Sequence, residues 1–254
     1  NSKEVKLWQS QLRKKIVQLV GGFPPRKCEL MPRLLEKKIF PTYTREKVAF
    51  QSQENLSVIA YLLIPSKVSH PVPVIICLPG HGRGCDDIVG IKLDGKQRVR
   101  SSGYQKDFAL QAVRNGFAAL SIEQLGFGHR RDHTARKKGS ETTSCQPAAG
   151  AALLFGQTMV GWRVYDVIRA IDYLREIPEV EPYRIACMGI SGGGTTTLFA
   201  AAIDSRIKVA VVSGYFNTFK DSIMSIPHCL DNYVPGILKF AEMYDVAGLI
   251  APRA

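Results

Sequence analysis

Apolar positions change period several times along the chain, and each change marks an element. After Ser2, a capping residue, Val5, Trp8, Leu12, Ile16 and Leu19 recur at helical spacing until Gly21-Gly22. A Pro-bearing connector is expected over 23–41, followed by strands over 47–52 and 56–64 on either side of the polar turn Gln53-Glu54-Asn55. The continuous apolar run from Val72 to Leu78, closed by Pro79-Gly80, has the pattern of a strand buried on both faces. From there the chain alternates. A helix is expected over 105–114 and a strand over 117–122. Val164, Val167, Ile168, Ile171 and Leu174 mark an amphipathic helix that Pro178 stops. A strand over 184–190, a helix over 192–203 and a strand over 207–212 complete the series. Alternation at this spacing requires crossover connections and therefore a mostly parallel sheet.

Two stretches break the rhythm. Residues 84–104 and 125–160 are long, polar and rich in Gly, Arg and Lys, as expected of lids or binding loops over one face of a sheet. The 254 residues are 45% hydrophobic and 22% charged, enough to build one large α/β domain or two small ones. No apolar run approaches the roughly 18 residues that would span a bilayer, so no membrane partner is expected. The net charge of +12 invites a nucleic-acid reading. Its distribution argues against one: the basic residues fall in separate segments, 13–15, 92–106 and 130–138, without interleaved aromatics to stack on bases. Six scattered cysteines form no CxxC, which removes zinc and thioredoxin-like sites. The chain opens on Asn1 with no signal-peptide core, so a trimmed N-terminus is expected.

The chemistry is concentrated at Gly189-Ile190-Ser191-Gly192-Gly193, a G-x-S-x-G between an apolar strand and an Ala/Gly-rich helix. A serine on so tight a turn needs glycines beside it, and its hydroxyl projects at the carboxyl end of the sheet, where ligands of open α/β sheets bind. The Gly192 amide, at a helix N-terminus, can face a developing oxyanion. A phosphate-holding turn is the bland alternative, but the Walker lysine and the G-x-G-x-x-G spacing are absent. An earlier loop, Leu78-Pro79-Gly80-His81-Gly82-Arg83-Gly84, follows a buried strand at the place where a second oxyanion N–H would arise.

With these two loops, the sequence resembles the α/β-hydrolase superfamily, in its acetyl xylan esterase and dienelactone-hydrolase-like branch. The resemblance also rests on the run from Gly161-Trp162-Arg163 to Asp172-Tyr173-Leu174, on Glu123 to Arg130, and on Asp245 to Arg253. It covers the chain from about Lys47 onward. It implies an α/β-hydrolase domain over 47–254, with 1–46 as an N-terminal helical extension and connector. It further implies a serine esterase acting on small-molecule or carbohydrate esters, with small acyl groups such as acetyl on a sugar and no cofactor or metal. Ser191 would be the nucleophile, and the amides of Arg83 and Gly192 the oxyanion hole.

The superfamily's chain order is Ser, acid, His. The acid and the histidine are expected beyond Ala254, in strands this chain would then lack. Asp221 and His228 form the one internal pair in the right order, although they lie in a connector and not at strand ends. Rival readings are a prolyl-oligopeptidase-like serine peptidase and a non-catalytic binding protein with a relic elbow. His129 and His133, at i, i+4, are read as surface loop histidines because the neighbouring basic residues oppose a cation. Glu123, at a strand end, is read as an anchor for the following loop.

Overall fold

In the computed structural model, which describes residues 2–254, the N-terminal apolar stripe folds as α1 (Ser2–Leu19) with Leu12 and Ile16 buried. β1 (Arg33–Ile39), β2 (Tyr43–Gln53) and β3 (Leu56–Pro65) follow as antiparallel neighbours. Next come β4 (Val72–Leu78), α2 (Cys85–Ile88), α3 (Phe108–Arg114), β5 (Ala118–Ile122), α4 (His133–Lys138), α5 (Cys145–Leu154) and α6 (Met159–Leu174). The chain closes with β6 (Val180–Ile190), α7 (Gly192–Ile203), β7 (Ile207–Ser213) and α8 (Met243–Gly248). All seven strands form one sheet in the order β1-β2-β3-β5-β4-β6-β7. The β5-β4-β6-β7 half is parallel, and β3 joins it antiparallel.

Alternation along β4 shows why the sheet is covered on both sides. Val74, Ile76 and Leu78 pack into the cluster that holds α1, α6, α7 and α8, whereas Cys77 belongs to the opposite cluster with α2 and α3. The opening helix is part of the first layer. Arg13 donates to the carbonyls of Ala202 (2.8 Å) and Leu249 (3.0 Å), and Leu12 and Ile16 join the core.

Three expectations change. The connector over 23–41 contains β1, whose burial pattern is almost wholly exposed; an edge strand reading Arg-Leu-Leu-Glu-Lys-Lys-Ile has no buried face to impose a period of two. The stretch 125–160 is not loop throughout, since it holds α4, α5 and the first two residues of α6. α4 has one apolar residue, the buried Ala135, and α5 is rich in Ala, so neither carries an apolar stripe. The helix expected from 105 starts at Phe108, because Lys106 (φ 57°) and Asp107 (φ 50°) take left-handed backbone that no helix admits.

Register places the site. Leu78 on β4 lies opposite Gly189 on β6, so the two glycine-rich loops leave adjacent parallel strands at the same height.

Candidate active site

Ser191 sits between β6 and α7 at φ 54°, ψ −118°, a conformation costly for a residue with a Cβ. Its amide donates to Ser213 O (2.8 Å) and its carbonyl accepts from Thr195 N (3.0 Å), which fixes the turn. The glycines around it are forced by close approach. A Cβ on Gly189 would run into Gly193 O, and one on Gly193 would strike Leu78 O and lie 2.9 Å from Pro79 O. A Cβ on Gly80 would lie 2.7 Å from Ile190 O and 3.2 Å from the Ser191 Cβ. The elbow and the earlier loop therefore pack backbone against backbone, leaving Ser191 exposed above the buried Gly192.

The loop after β4 is tied down on three sides. Gly80 N donates to Gln105 Oε1 (2.7 Å), and Gln105 N donates to Asp87 Oδ2 (3.3 Å). Arg98 bridges Asp87 and Asp107, each at 2.6 Å. Gln124 Nε2 donates to Pro79 O (2.5 Å), while its Oε1 accepts from Thr196 Oγ1 (2.6 Å) on α7. Glu123, wholly buried at the end of β5, accepts from Cys85 N through one carboxyl oxygen and from His129 N through the other, both at 3.1 Å. Burial pushes its pKa up to about 7. The Gly80 N–H is consumed by Gln105 and cannot serve an oxyanion. The amides of His81, Gly82 and Arg83 have no protein acceptor among the described residues.

Ser191 opens into a pocket walled by Gly80, His81, Tyr104, Lys106 and Phe108. An adjoining pocket shares His81 and Tyr104 and is lined by Arg83 and Glu141 as well. The Arg83 guanidinium is anchored on Ile91 O at 2.9 Å. His81 packs on the elbow beside Phe127: a Cβ on Gly192 would stand 3.4 Å from the Cε1 and Nδ1 of His81 and from the Cζ of Phe127. Its ring tilts over Phe127 with centroids 4.7 Å apart.

Behind His81 lies a buried ionic cluster. Asp231 Oδ2 accepts from Arg163 Nη1 (2.7 Å) and lies 3.7 Å from His81 Nε2, with both charged side chains at 2% exposure or less. Burial alone would raise the Asp231 pKa, but the Arg163 guanidinium beside it and His81 bring it below the ordinary carboxylate value. The donor atoms of His81, Cys145 and Asp231 lie within 4.8 Å of one another, close enough for a metal. Arg163 occupies the cation's place: besides Asp231 it contacts Cys145 Sγ at 3.3 Å, so a metal would meet a fixed positive charge. Asn232 links this cluster to α7, accepting from Thr195 Oγ1 at 2.5 Å.

Of the residues proposed from sequence, Ser191, Gly192 and the loop holding Arg83 come together at one end of the sheet. Asp221 and His228 are not paired. Asp221 bonds Thr218 (2.9 Å), and His228 Nδ1 lies 3.5 Å from Cys229 O. His129 is held by Asp86 (3.2 Å) and Lys47 (3.2 Å). Sequence reasoning did not single out Arg163, Asp231, Gln105 or Gln124. The first pair is 68 residues apart in the chain, and no spacing rule connects them.

The Abhydrolase family matches residues 1–254. The protein YtaP of Bacillus subtilis (strain 168), assigned as a hydrolase, is 26% identical over 254 residues, covering 96% of this chain and 78% of that one. An acetyl esterase of Xylanibacter ruminicola, Axe7A, is 29% identical over 162 residues, 62% of this chain and 32% of that protein. Among solved structures, a protein of Bacteroides fragilis NCTC 9343 assigned as an acetyl xylan esterase superposes with a TM-score of 0.83 at 20% identity. That match covers 99% of this chain and 67% of the other, and shows a shared α/β-hydrolase fold.

Proposed function

The chain belongs to the Abhydrolase family, and on that premise we propose that it is a serine esterase cleaving small acyl esters, such as acetyl esters of sugars. One observation carries the reading. Ser191 is held in strained backbone, exposed at the carboxyl end of β6, beside a loop whose free amides face no protein acceptor. In this mechanism Ser191 Oγ attacks the acyl carbonyl carbon while a general base takes its proton. The carbonyl π electrons move to oxygen, and the amides of Gly192 and Arg83 hold that oxyanion; one such donor is worth on the order of 10²–10³ in rate. Collapse breaks the bond to the alcohol, which leaves with the proton, and water repeats the sequence on the acyl-enzyme. The acetyl preference draws support from the names of the Xylanibacter and Bacteroides relatives.

A fluorophosphonate probe should label Ser191, and Ser191→Ala should lower turnover of p-nitrophenyl acetate by about 10³-fold or more. Labelling elsewhere, or full activity in the alanine variant, refutes the assignment. Turnover of peptide anilides in place of esters would turn the reading to a peptidase.

A further inference from the structure

We propose that His81 is a substrate-binding hydrogen-bond acceptor of the Ser191 pocket, turned by the Asp231–Arg163 pair to receive a hydroxyl on the alcohol part of the ester. The proposal rests on Ser191 being the nucleophile and deepens that reading by assigning the contact that recognises the leaving group, a free hydroxyl near the ester on a polyol or sugar.

Position is the first ground. His81 lies on the wall common to the two adjoining pockets, one of which contains Ser191, and its ring lies over Gly192, the residue after the nucleophile. It is held there by Phe127, whose ring also carries the Arg163 guanidinium at 4.5 Å.

The second ground is the tautomer. Nε2 is buried with no hydrogen-bond partner and faces Asp231 Oδ2 at 3.7 Å. Arg163, at 2.7 Å, keeps that carboxylate ionised. An N–H turned toward a carboxylate is attracted, whereas a lone pair turned toward it is repelled, so the ring proton sits on Nε2. Nδ1, with no protein partner among the described residues, then carries the lone pair. The groups facing the ring act together on its charge. Burial lowers the His81 pKa, Asp231 opposes that, and Arg163 and His228 add to it, leaving the ring neutral at pH 7. Only a neutral imidazole has an acceptor to offer. The network thus presents an acceptor beside a serine, and the group that pairs with it is an O–H. Esters of phenols and simple alkanols, whose one hydroxyl is taken up in the ester bond, supply none.

The experiment has two arms. Nitrogen-15 NMR of the labelled wild-type protein at pH 7.5 should show His81 protonated at Nε2 and bare at Nδ1; the reverse tautomer, or an imidazolium, overturns the proposal. His81→Phe keeps the ring contact with Phe127 and removes both nitrogens. Its kcat/KM should fall about tenfold further on an acetylated sugar with a free neighbouring hydroxyl than on p-nitrophenyl acetate, the worth of one hydrogen bond. Equal losses on both esters would make His81 a base or a packing group and overturn the proposal. Fluorophosphonate labelling of Ser191 and wild-type turnover report separately on the esterase reading, so the two can fail independently.

Discussion

Replacing Ser191 with glycine and with alanine should separate the strain of the elbow from its chemistry. At φ 54°, ψ −118° the residue lies well away from the left-handed helical basin, so any side chain with a Cβ is strained there. Such conformations cost of order 1–3 kcal/mol. Alanine retains the Cβ and the strain, and loses only an exposed hydroxyl, a change worth within about 0.5 kcal/mol. Glycine releases the strain but gains conformational entropy when unfolded, which returns about 0.4–1 kcal/mol. The glycine variant should therefore be the more stable of the two by up to about 2.6 kcal/mol. Urea unfolding reads this as a higher midpoint at unchanged slope. Thermal unfolding reads it as about 2–4 °C in Tm for each kcal/mol. Both variants lack the Ser191 hydroxyl, so chemistry at that group does not enter the comparison. A glycine variant less stable than the alanine variant by about 0.4–1 kcal/mol, the entropy cost alone, would show that the elbow stores no strain.

Asp231→Ala should cost about 3–5 kcal/mol in chemical denaturation, because it leaves the Arg163 guanidinium buried without its partner; a loss no larger than that from Lys37→Ala, which breaks the exposed pair with Glu46, would refute this. Gly193→Ala should destabilise the fold, although Gly→Ala inside a helix ordinarily gains about 1 kcal/mol, since the new methyl meets the Leu78 carbonyl; a stabilised variant would contradict the packing described. Glu123 holds its proton in the folded state up to about pH 7, whereas the unfolded chain loses it near its ordinary 4.5, so its contribution is present below 4.5 and is lost as pH rises to 7. Unfolding free energy should accordingly fall across that window in the wild type and less steeply in Glu123→Gln; parallel curves would show that Glu123 does not titrate there.

Local rules determined a good deal here. The period of Leu12 and Ile16, the continuous run from Val72 to Leu78 and the stripe from Val164 to Leu174 each had to form their element, because each can bury its apolar atoms in only one way. The glycines flanking Ser191 announced a tight strand-to-helix turn for the same reason: the requirement lies within a few residues of the chain. β1 escaped notice because both its faces are exposed, and α4 because Ala135 is its one apolar residue, so neither leaves a periodic trace. Only the tertiary structure decided what surrounds the serine. Gln105 takes the Gly80 amide from 25 residues away, Gln124 ties Pro79 to Thr196, and Arg163 meets Asp231 behind His81. Each is one polar side chain whose partner is set by the sheet's register and by the docking of α6 and α7. Nothing in the spacing of Arg163 and Asp231 encodes their encounter; it exists because both are buried at the same end of the same sheet, where neither charge is tolerable without the other.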